Sequence, residues 1–317
     1  VQCLLCPHTC ELEEGERGSC RVRMNLDGEL VSLVYGRPVA VHVDPVEKKP
    51  VYHYLPGTRT FSIATAGCNL GCEFCQNWEI SQAAPEDVPP YRMEPEEVVS
   101  RAGEAGCSSI AYTYTEPIVF YEYVEDTSAL AREEGLGNIM VTAGYINEGP
   151  LRELAPLIDA ANVDLKSVRD GYYRSVCHGT VGPVLNTLEV LAEMGVWLEV
   201  TNLVVPGLND SEDDLADLCG WIADHLPLHF SRFFPTYRMA DRPPTPLETL
   251  ERAGEIAAEA GLRYSYVGNV VTREGDDTFC PECGRAAVRR EGVRVADMKV
   301  EDGRCAYCGA EIAGVWS

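Results

Sequence analysis

Lysine is nearly missing from this chain. Four occur among 317 residues, Lys48, Lys49, Lys166 and Lys299, and with arginine they make 26 basic side chains against 50 Asp and Glu, a formal net charge of −24. That average field repels a phosphate backbone, so nucleic acid is not expected as the main partner. It also makes any lysine inside a pattern worth following. No apolar run reaches the roughly 18 residues that a membrane helix needs. No secretory leader is legible in a sequence beginning at Val1, so a cytoplasmic protein is the expectation. Histidine is scarce, with six residues, which leaves few partners for mixed Cys/His metal sites.

Cysteine, by contrast, is abundant. Fourteen cysteines in a chain read as cytoplasmic point to metal binding more than to disulfides. Eleven fall into three groups: Cys3, Cys6, Cys10 and Cys20; Cys68, Cys72 and Cys75; and Cys280, Cys283, Cys305 and Cys308. Cys107, Cys177 and Cys219 stand alone and are expected to pack as small buried hydrophobes. The last group forms two Cys-x2-Cys-Gly turns, CPECG and CAYCG. This is a zinc-ribbon pattern, in which four thiolates fill a tetrahedron and fold a tail too short for its own core. The first group, C-x2-C-x3-C-x9-C, has thiols enough for zinc or for an auxiliary iron-sulfur cluster, and spacing leaves both open. His8 is expected to be solvated or capping rather than a ligand.

Three zones divide the chain. Residues 1–58 hold the first cysteine group, two strand-like runs around Gly36 (ELVSLVYG and RPVAVHVD) read as a β-hairpin, and a proline-rich connector, DPVEKKPVYHYLPG. Residues 59–275 alternate strands with amphipathic helices, and residues 276–317 form the cysteine-bearing tail. The strands of the middle zone read TFSIATA, SSIAYTYT, NIMVTAG, NVDLK, WLEVTNLVV and HFSRFFPTY, with YSYVGNV a weaker seventh. Such alternation implies an α/β fold of parallel βα units, closed or nearly closed into a barrel; a doubly wound open sheet is the alternative. In a barrel, chemistry sits at the C-terminal ends of the strands. The middle cysteine group follows the first strand, Glu116 follows the second, Thr142 lies on the third, Asp164 and Lys166 on the fourth, and Thr201 and Asn202 on the fifth. These groups are expected to converge on one mouth.

The middle group poses a question of coordination. GCNLGCEFC offers three thiols where structural zinc takes four ligands. Unless a distant histidine completes a zinc site, three thiolates suit an iron-sulfur cubane with one iron left open. The stretch resembles the C-x3-C-x-aromatic-C motif of the radical S-adenosylmethionine (SAM) superfamily. The resemblance implies a partial (β/α)6-type TIM barrel, a [4Fe-4S] cluster on Cys68, Cys72 and Cys75, and SAM chelated to the fourth iron. It implies reductive cleavage of SAM to a 5′-deoxyadenosyl radical that abstracts hydrogen from a substrate, with a low-potential donor such as flavodoxin or ferredoxin. Phe74 would shield the cluster from water.

Two further likenesses narrow the branch. NVDLK resembles the Asp-x-Lys strand of the enzymes that activate pyruvate formate-lyase, which implies Asp164 and Lys166 beside the SAM carboxylate and ribose. Glu116, Thr142, Thr201 and Asn202 complete the implied SAM contacts. TYTEP stands where the superfamily often has Gly-Gly-Glu, and TAG where the activases have Thr-Asn-Gly. Over nearly its whole length the chain is similar to the radical SAM component of the AmmeMemoRadiSam system, through CLLCPHTCELEEGERGSCRVR, DPVEKKPVYHYLPG, GCNLGCEFCQNWEISQ and YVGNV. That similarity implies Memo-type and AMMECR-type partner proteins and a radical modification of a small molecule, carbon-carbon bond formation being one form. A glycyl-radical activase acting on a protein glycine is the alternative, and a non-catalytic metal scaffold the third reading. No catalytic acid, base or nucleophile is identifiable. Tyr112, Tyr114, Tyr145 and Tyr237, near strand ends, are candidates to shape a substrate radical.

Overall fold

The computed structural model describes residues 1–222, 226–270 and 276–317. A short antiparallel pair opens the chain, β1 (Arg23–Leu26) and β2 (Glu29–Ser32), turned by Asp27 and Gly28, both at positive φ. Asp-Gly is the dipeptide that a two-residue hairpin turn favours. The two runs around Gly36 therefore do not form the expected hairpin. ELVSLVYG pairs back onto β1, while RPVAVHVD supplies β3 (Ala40–Pro45), which pairs antiparallel with β4 (Arg59–Ala64). β4 is buried along almost its whole length, and β3 covers the edge it would otherwise expose.

Six strands follow β4, all parallel: β5 (Ser109–Tyr112), β6 (Gly137–Thr142), β7 (Ala160–Asp164), β8 (Trp197–Val204), β9 (Leu228–Arg232) and β10 (Ser265–Gly268). Their hydrogen-bonded order is sequential from β3 to β10. A doubly wound sheet reverses its order at a switch point, so that alternative falls away. The eight α-helices among the described residues are α1 (Trp78–Ser81), α2 (Pro95–Glu104), α3 (Tyr121–Glu133), α4 (Glu148–Leu154), α5 (Asp170–Tyr172), α6 (Gly182–Glu193), α7 (Glu212–Trp221) and α8 (Leu247–Glu259). The start of α7 shows why these segments are helical: Ser211 Oγ accepts the Asp214 amide at 3.2 Å, and three acidic residues occupy the first turn. The helix expected across residues 211–226 extends in part over positions outside the described residues, as does the expected end of the middle zone at 271–275. No described helix is long and apolar enough to cross a membrane. The tail is built of small antiparallel pairs, β11 (Thr278–Phe279), β12 (Ala286–Glu291) and β13 (Arg294–Met298), then β14 (Val300–Glu301) and β15 (Arg304–Cys305).

The proline-rich run read as a connector is instead buried. After β3 and a 3-10 turn over Val46–Lys48, the side chains of Val51, Tyr52, His53 and Tyr54 are all buried. Val46, Val51 and Tyr54 pack on Ala111, Ile139 and Ala160 of β5, β6 and β7. Asn162 Nδ2 donates to the Pro50 carbonyl at 2.7 Å. Glu199 of β8 clamps the segment: its carboxylate accepts the amides of Tyr52 (2.9 Å) and His53 (2.7 Å), Trp197 Nε1 (3.1 Å) and His229 Nε2 (2.7 Å). Burial opposes its charge, yet His229 holds Glu199 below the ordinary carboxylate value.

His53 also ties the segment to the tail. Its Nδ1 lies 2.6 Å from the Ala313 carbonyl, which can only accept, so Nδ1 carries the proton and Nε2, at 2.5 Å, accepts from the Tyr266 hydroxyl. Burial brings His53 down to about 4 from the 6.5 of a free imidazole. The unfolded chain therefore binds the extra proton between these values. His53 contributes stability above pH about 6.5 and loses it as pH falls toward 4, about 3 kcal/mol in all. Urea unfolding of the wild type and of His53→Gln across that range should show this slope in the wild type and a shallower one in the variant.

Candidate active site

One cavity of about 450 Å³ opens where the parallel strands end. Its wall takes residues from the turn after β3 and from β9, so the sheet curls around it. Cys68, Cys72 and Cys75 line it, together with Glu116, Thr142, Asp164, Lys166 and Thr201. Eight of the nine named residues, the trio and its companions, thus converge at the strand ends as expected.

The cysteine loop follows β4 and is fixed from both sides. The amides of Gly71 and Glu73 donate to the carbonyls of Cys177 and Val176, each at 3.0 Å, in a π-helical turn over Tyr173–Cys177. Such turns interrupt regular helix at functional sites. On the other side, Gly67 has φ +95°, and a Cβ there would meet Val22 Cγ1 at 2.5 Å and the Cys20 carbonyl at 2.7 Å. Only glycine lets the first cysteine zone approach this closely. His8 Nε2 lies 2.6 Å from the Asn69 carbonyl and Asn69 Nδ2 donates to the Tyr145 carbonyl at 2.7 Å, so the half-buried His8 caps and braces the loop.

The three thiols differ in environment. Burial pushes Cys68 well above the ordinary thiol value, and the Glu116 charge adds to it. Burial also raises Cys75, whose sulfur lies 3.2 Å from Ser81 Oγ. Cys72 is lowered, first by a hydrogen bond from Cys177 and also by Lys166. Cys177, expected to be plain packing, therefore touches the site. Lys166 is 7% exposed; burial opposes its charge, but Asp164, with Oδ2 at 3.1 Å, and Cys72 lift it well above the usual lysine value. Its Nζ lies 5.8 Å from the centre of the buried Phe74 ring.

Glu116 is held in place by three donors: Thr142 Oγ1 at 2.5 Å, the Ala143 amide at 2.8 Å and the Ile118 amide at 3.3 Å. Burial raises its carboxyl to about 7, against those hydrogen bonds. Thr201 Oγ1 is buried and has no hydrogen-bond partner among the described residues.

Asn202 is the exception. Side chains alternate along a strand, so Thr201 and Leu203 line the cavity while Asn202 does not. Its Nδ2 donates instead to the carbonyls of Leu165 (2.8 Å) and Lys166 (3.2 Å). Asn202 is a support for the Lys166 backbone, not a wall residue. Of the tyrosines named from sequence, Tyr114 lines the cavity, whereas the Tyr112 hydroxyl bonds to Asn138 and Ser128 and that of Tyr145 lies by Thr180. Tyr237 stacks on Trp78 at 5.2 Å.

Residues that sequence reasoning missed complete the wall: Lys48 and Lys49 line it, with Asp44 bonded behind them. Their signal was the scarcity of lysine itself. In the tail, the sulfurs of Cys280, Cys283, Cys305 and Cys308 lie within 4.8 Å of one another, a metal-binding arrangement. Neither the opening cysteines nor Cys68, Cys72 and Cys75 form a group that tight among the described residues.

The radical SAM superfamily profile matches residues 62–219, which span the trio and strands β5 to β8. The uncharacterized protein MJ0808 of Methanocaldococcus jannaschii is 46% identical over 98% of this chain and 95% of its own length. The chain belongs to the radical SAM superfamily. The pyruvate formate-lyase 1-activating enzyme of Escherichia coli K12 is 23% identical over 67% of this chain and 93% of its own. Among solved structures, a radical SAM methyltransferase from Sphaerobacter thermophilus shares the fold, with a TM-score of 0.54 and 19% identity over 68% of this chain and 67% of that one.

Radical SAM proteins are enzymes, and membership implies a [4Fe-4S] cluster and SAM. The residues present fit both groups. Three buried or half-buried thiols share one wall with a lysine cation, and the orphaned Thr201 hydroxyl and the fixed Glu116 carboxyl offer polar contacts beside them. Replacing Asn202 by alanine removes the side-chain donor from the Leu165 carbonyl and leaves the Lys166 carbonyl with Asn209 Nδ2 at 2.8 Å alone. The expected cost is about 1–3 kcal/mol in urea unfolding, with a weaker SAM affinity from the displaced Lys166, read by calorimetric titration.

Proposed function

We propose that the protein binds SAM on a [4Fe-4S] cluster held by Cys68, Cys72 and Cys75 and starts a radical modification of a small-molecule substrate, in a three-component system with Memo-type and AMMECR-type proteins. The convergence of the trio with Glu116, Thr142, Asp164, Lys166 and Thr201 on one cavity carries the radical SAM part of this reading. The likeness of the N-terminal, connector and trio stretches to the AmmeMemoRadiSam enzymes supports the rest. When bound, the cluster and SAM supply a one-electron cleavage that yields the 5′-deoxyadenosyl radical.

The chain's own residues position and protect. Glu116, fixed by Thr142 and Ala143, suits the SAM amine, and an ammonium neighbour would favour its ionised form. Lys166 suits the SAM carboxylate, its orientation set by Asp164 and by Asn202 through the backbone. Thr201 offers a hydroxyl, and Phe74 keeps water from the thiolates. We assign residues 59–275 to a partial (β/α)6-type barrel, residues 1–58 to a cysteine-rich module and residues 276–317 to a zinc-ribbon-like domain. The tail quartet would hold zinc, and the opening quartet zinc or an auxiliary cluster. A cytoplasmic location and a flavodoxin or ferredoxin donor belong to the same reading. The E. coli relative favours a second reading, activation of a glycyl-radical protein, which would require a companion protein with a glycyl-radical loop.

Anaerobic reconstitution followed by dithionite and SAM tests the proposal, with 5′-deoxyadenosine read by mass spectrometry. Formation in the wild type, its loss in Cys72→Ala and its rise with the partner proteins are expected. An intact cluster that yields none, with or without the partners, would shift the chain to a scaffold role. For the tail, a Cys283→Ser/Cys308→Ser variant should lose one equivalent of zinc in elemental analysis and retain the iron of the trio.

A further inference from the structure

Three of the four lysines of this acidic chain line a single cavity. The fourth, Lys299, lies on the tail beside Asp297. Lys166 is committed to the cysteine side. Lys48 and Lys49 come from the segment after β3, at the opposite edge of the sheet from β10, and no element of the SAM-directed set supplies them.

Their geometry is built rather than incidental. Asp44 accepts Lys48 Nζ on Oδ1 at 2.9 Å and Lys49 Nζ on Oδ2 at 2.7 Å, and the Tyr114 hydroxyl also donates to Oδ2. Lys49 is 1% exposed, and its ammonium lies 4.2 Å from the centre of the Tyr114 ring; that of Lys48 lies at 5.9 Å. A cation over an aromatic face is stabilised by the ring quadrupole. Tyr114 itself holds φ +64°, in the first position of the stretch where the superfamily often has glycines, and Asn77 Nδ2 grips its carbonyl at 2.7 Å. A bulky residue in that conformation is strained, and such strain persists where the surroundings enforce it. The enforced result is a ring that carries two ammonium groups.

Charge counting gives the consequence. One carboxylate faces two ammonium groups, so the cage keeps a net positive charge on the wall of a cavity in a protein of net charge −24. Burying Lys49 is costly unless its charge is used. Among the described residues Lys49 donates one hydrogen bond, to Asp44, out of three available N–H groups. Lys48 is half exposed at 51% of its side chain, with its ammonium held 2.9 Å from Asp44 Oδ1 at the cavity wall.

We propose that Lys48 and Lys49 recognise an anionic group, a carboxylate or phosphate, carried by the substrate, with Asp44 and Tyr114 as positioning residues. The inference rests on reading the cavity as a radical SAM site and adds the class of molecule that enters it. It places the anion at the β3 side, so that the remainder of the substrate extends toward the cysteine trio.

The test uses the full-length, cluster-reconstituted protein with saturating SAM, titrated calorimetrically with benzoate and with inorganic phosphate. The wild type should bind at least one of them, and the preferred probe separates a carboxylate from a phosphate substrate. Lys49→Met should weaken that binding about tenfold or more, as loss of a charge-assisted hydrogen bond does. Since Lys49→Met leaves Asp44 half-paired in a buried place and can misfold, Lys48→Met, at the exposed position, serves as the second variant, with circular dichroism as the check on folding. Failure of both probes to bind the wild type, or an affinity unchanged in Lys48→Met, overturns the proposal. So does binding that appears in a parallel titration without SAM and is lost when SAM is saturating, because the lysines would then belong to the SAM carboxylate. Formation of 5′-deoxyadenosine on the same preparation reports on the radical SAM reading separately: anion binding without it leaves the lysine site standing and removes that reading, and the reverse result removes only the site.

Discussion

The Glu199 carboxylate holds the molecule together from the inside. It lies on the same face of β8 as Thr201 and Leu203, one step deeper than the cavity they line. From there it accepts the amides of Tyr52 and His53, and so anchors the segment after β3 against the strands. A buried charge survives only when its lone pairs are used, and here four donors use them. His53, held by the same clamp, reaches on to Ala313, so one carboxylate indirectly ties the first zone, the central sheet and the tail.

That clamp has a functional consequence. With residues 50–54 locked beneath the cavity, the turn before them must rise along its wall, which brings Lys48 and Lys49 to the lining. Asp44 and Tyr114 then fix where the ammonium groups lie. The opposite wall is built differently, from single residues at successive strand ends, each held by a neighbour: Glu116 by Thr142, Lys166 by Asp164. The trio loop sits between the π-helical turn on one side and the first cysteine zone on the other. The site is therefore a meeting of three independently supported pieces.

Much of this was legible because it is local. The parallel βα character of the strands followed from alternating apolar runs and helices, while their sequential order came only from the structure; the trio stood immediately after the first strand because a strand-loop boundary is a short-range pattern. Glu116, Thr142, Asp164 and Thr201 could be named because strand ends face one mouth in any such fold. Asn202 could not be separated from Thr201 without the register, since one residue along a strand reverses the face. The hairpin around Gly36 failed for a related reason: β3 had two possible partners, and the exposed edge of β4 was the stronger claim.

The amino-acid sequence by itself determined the cysteine groups, the βα alternation, the placement of the trio and the shortage of lysine, all properties of neighbours in the chain. Only the tertiary structure decided that the connector fills the space beneath the cavity, that Cys177 meets Cys72, and that three of the four lysines line one cavity from two sides. Those outcomes rest on contacts between residues about a hundred positions or more apart, such as Glu199 with His53 and Cys72 with Cys177. No local pattern records such pairs, because they exist only once burial makes an unpaired amide or carboxylate too costly to leave alone.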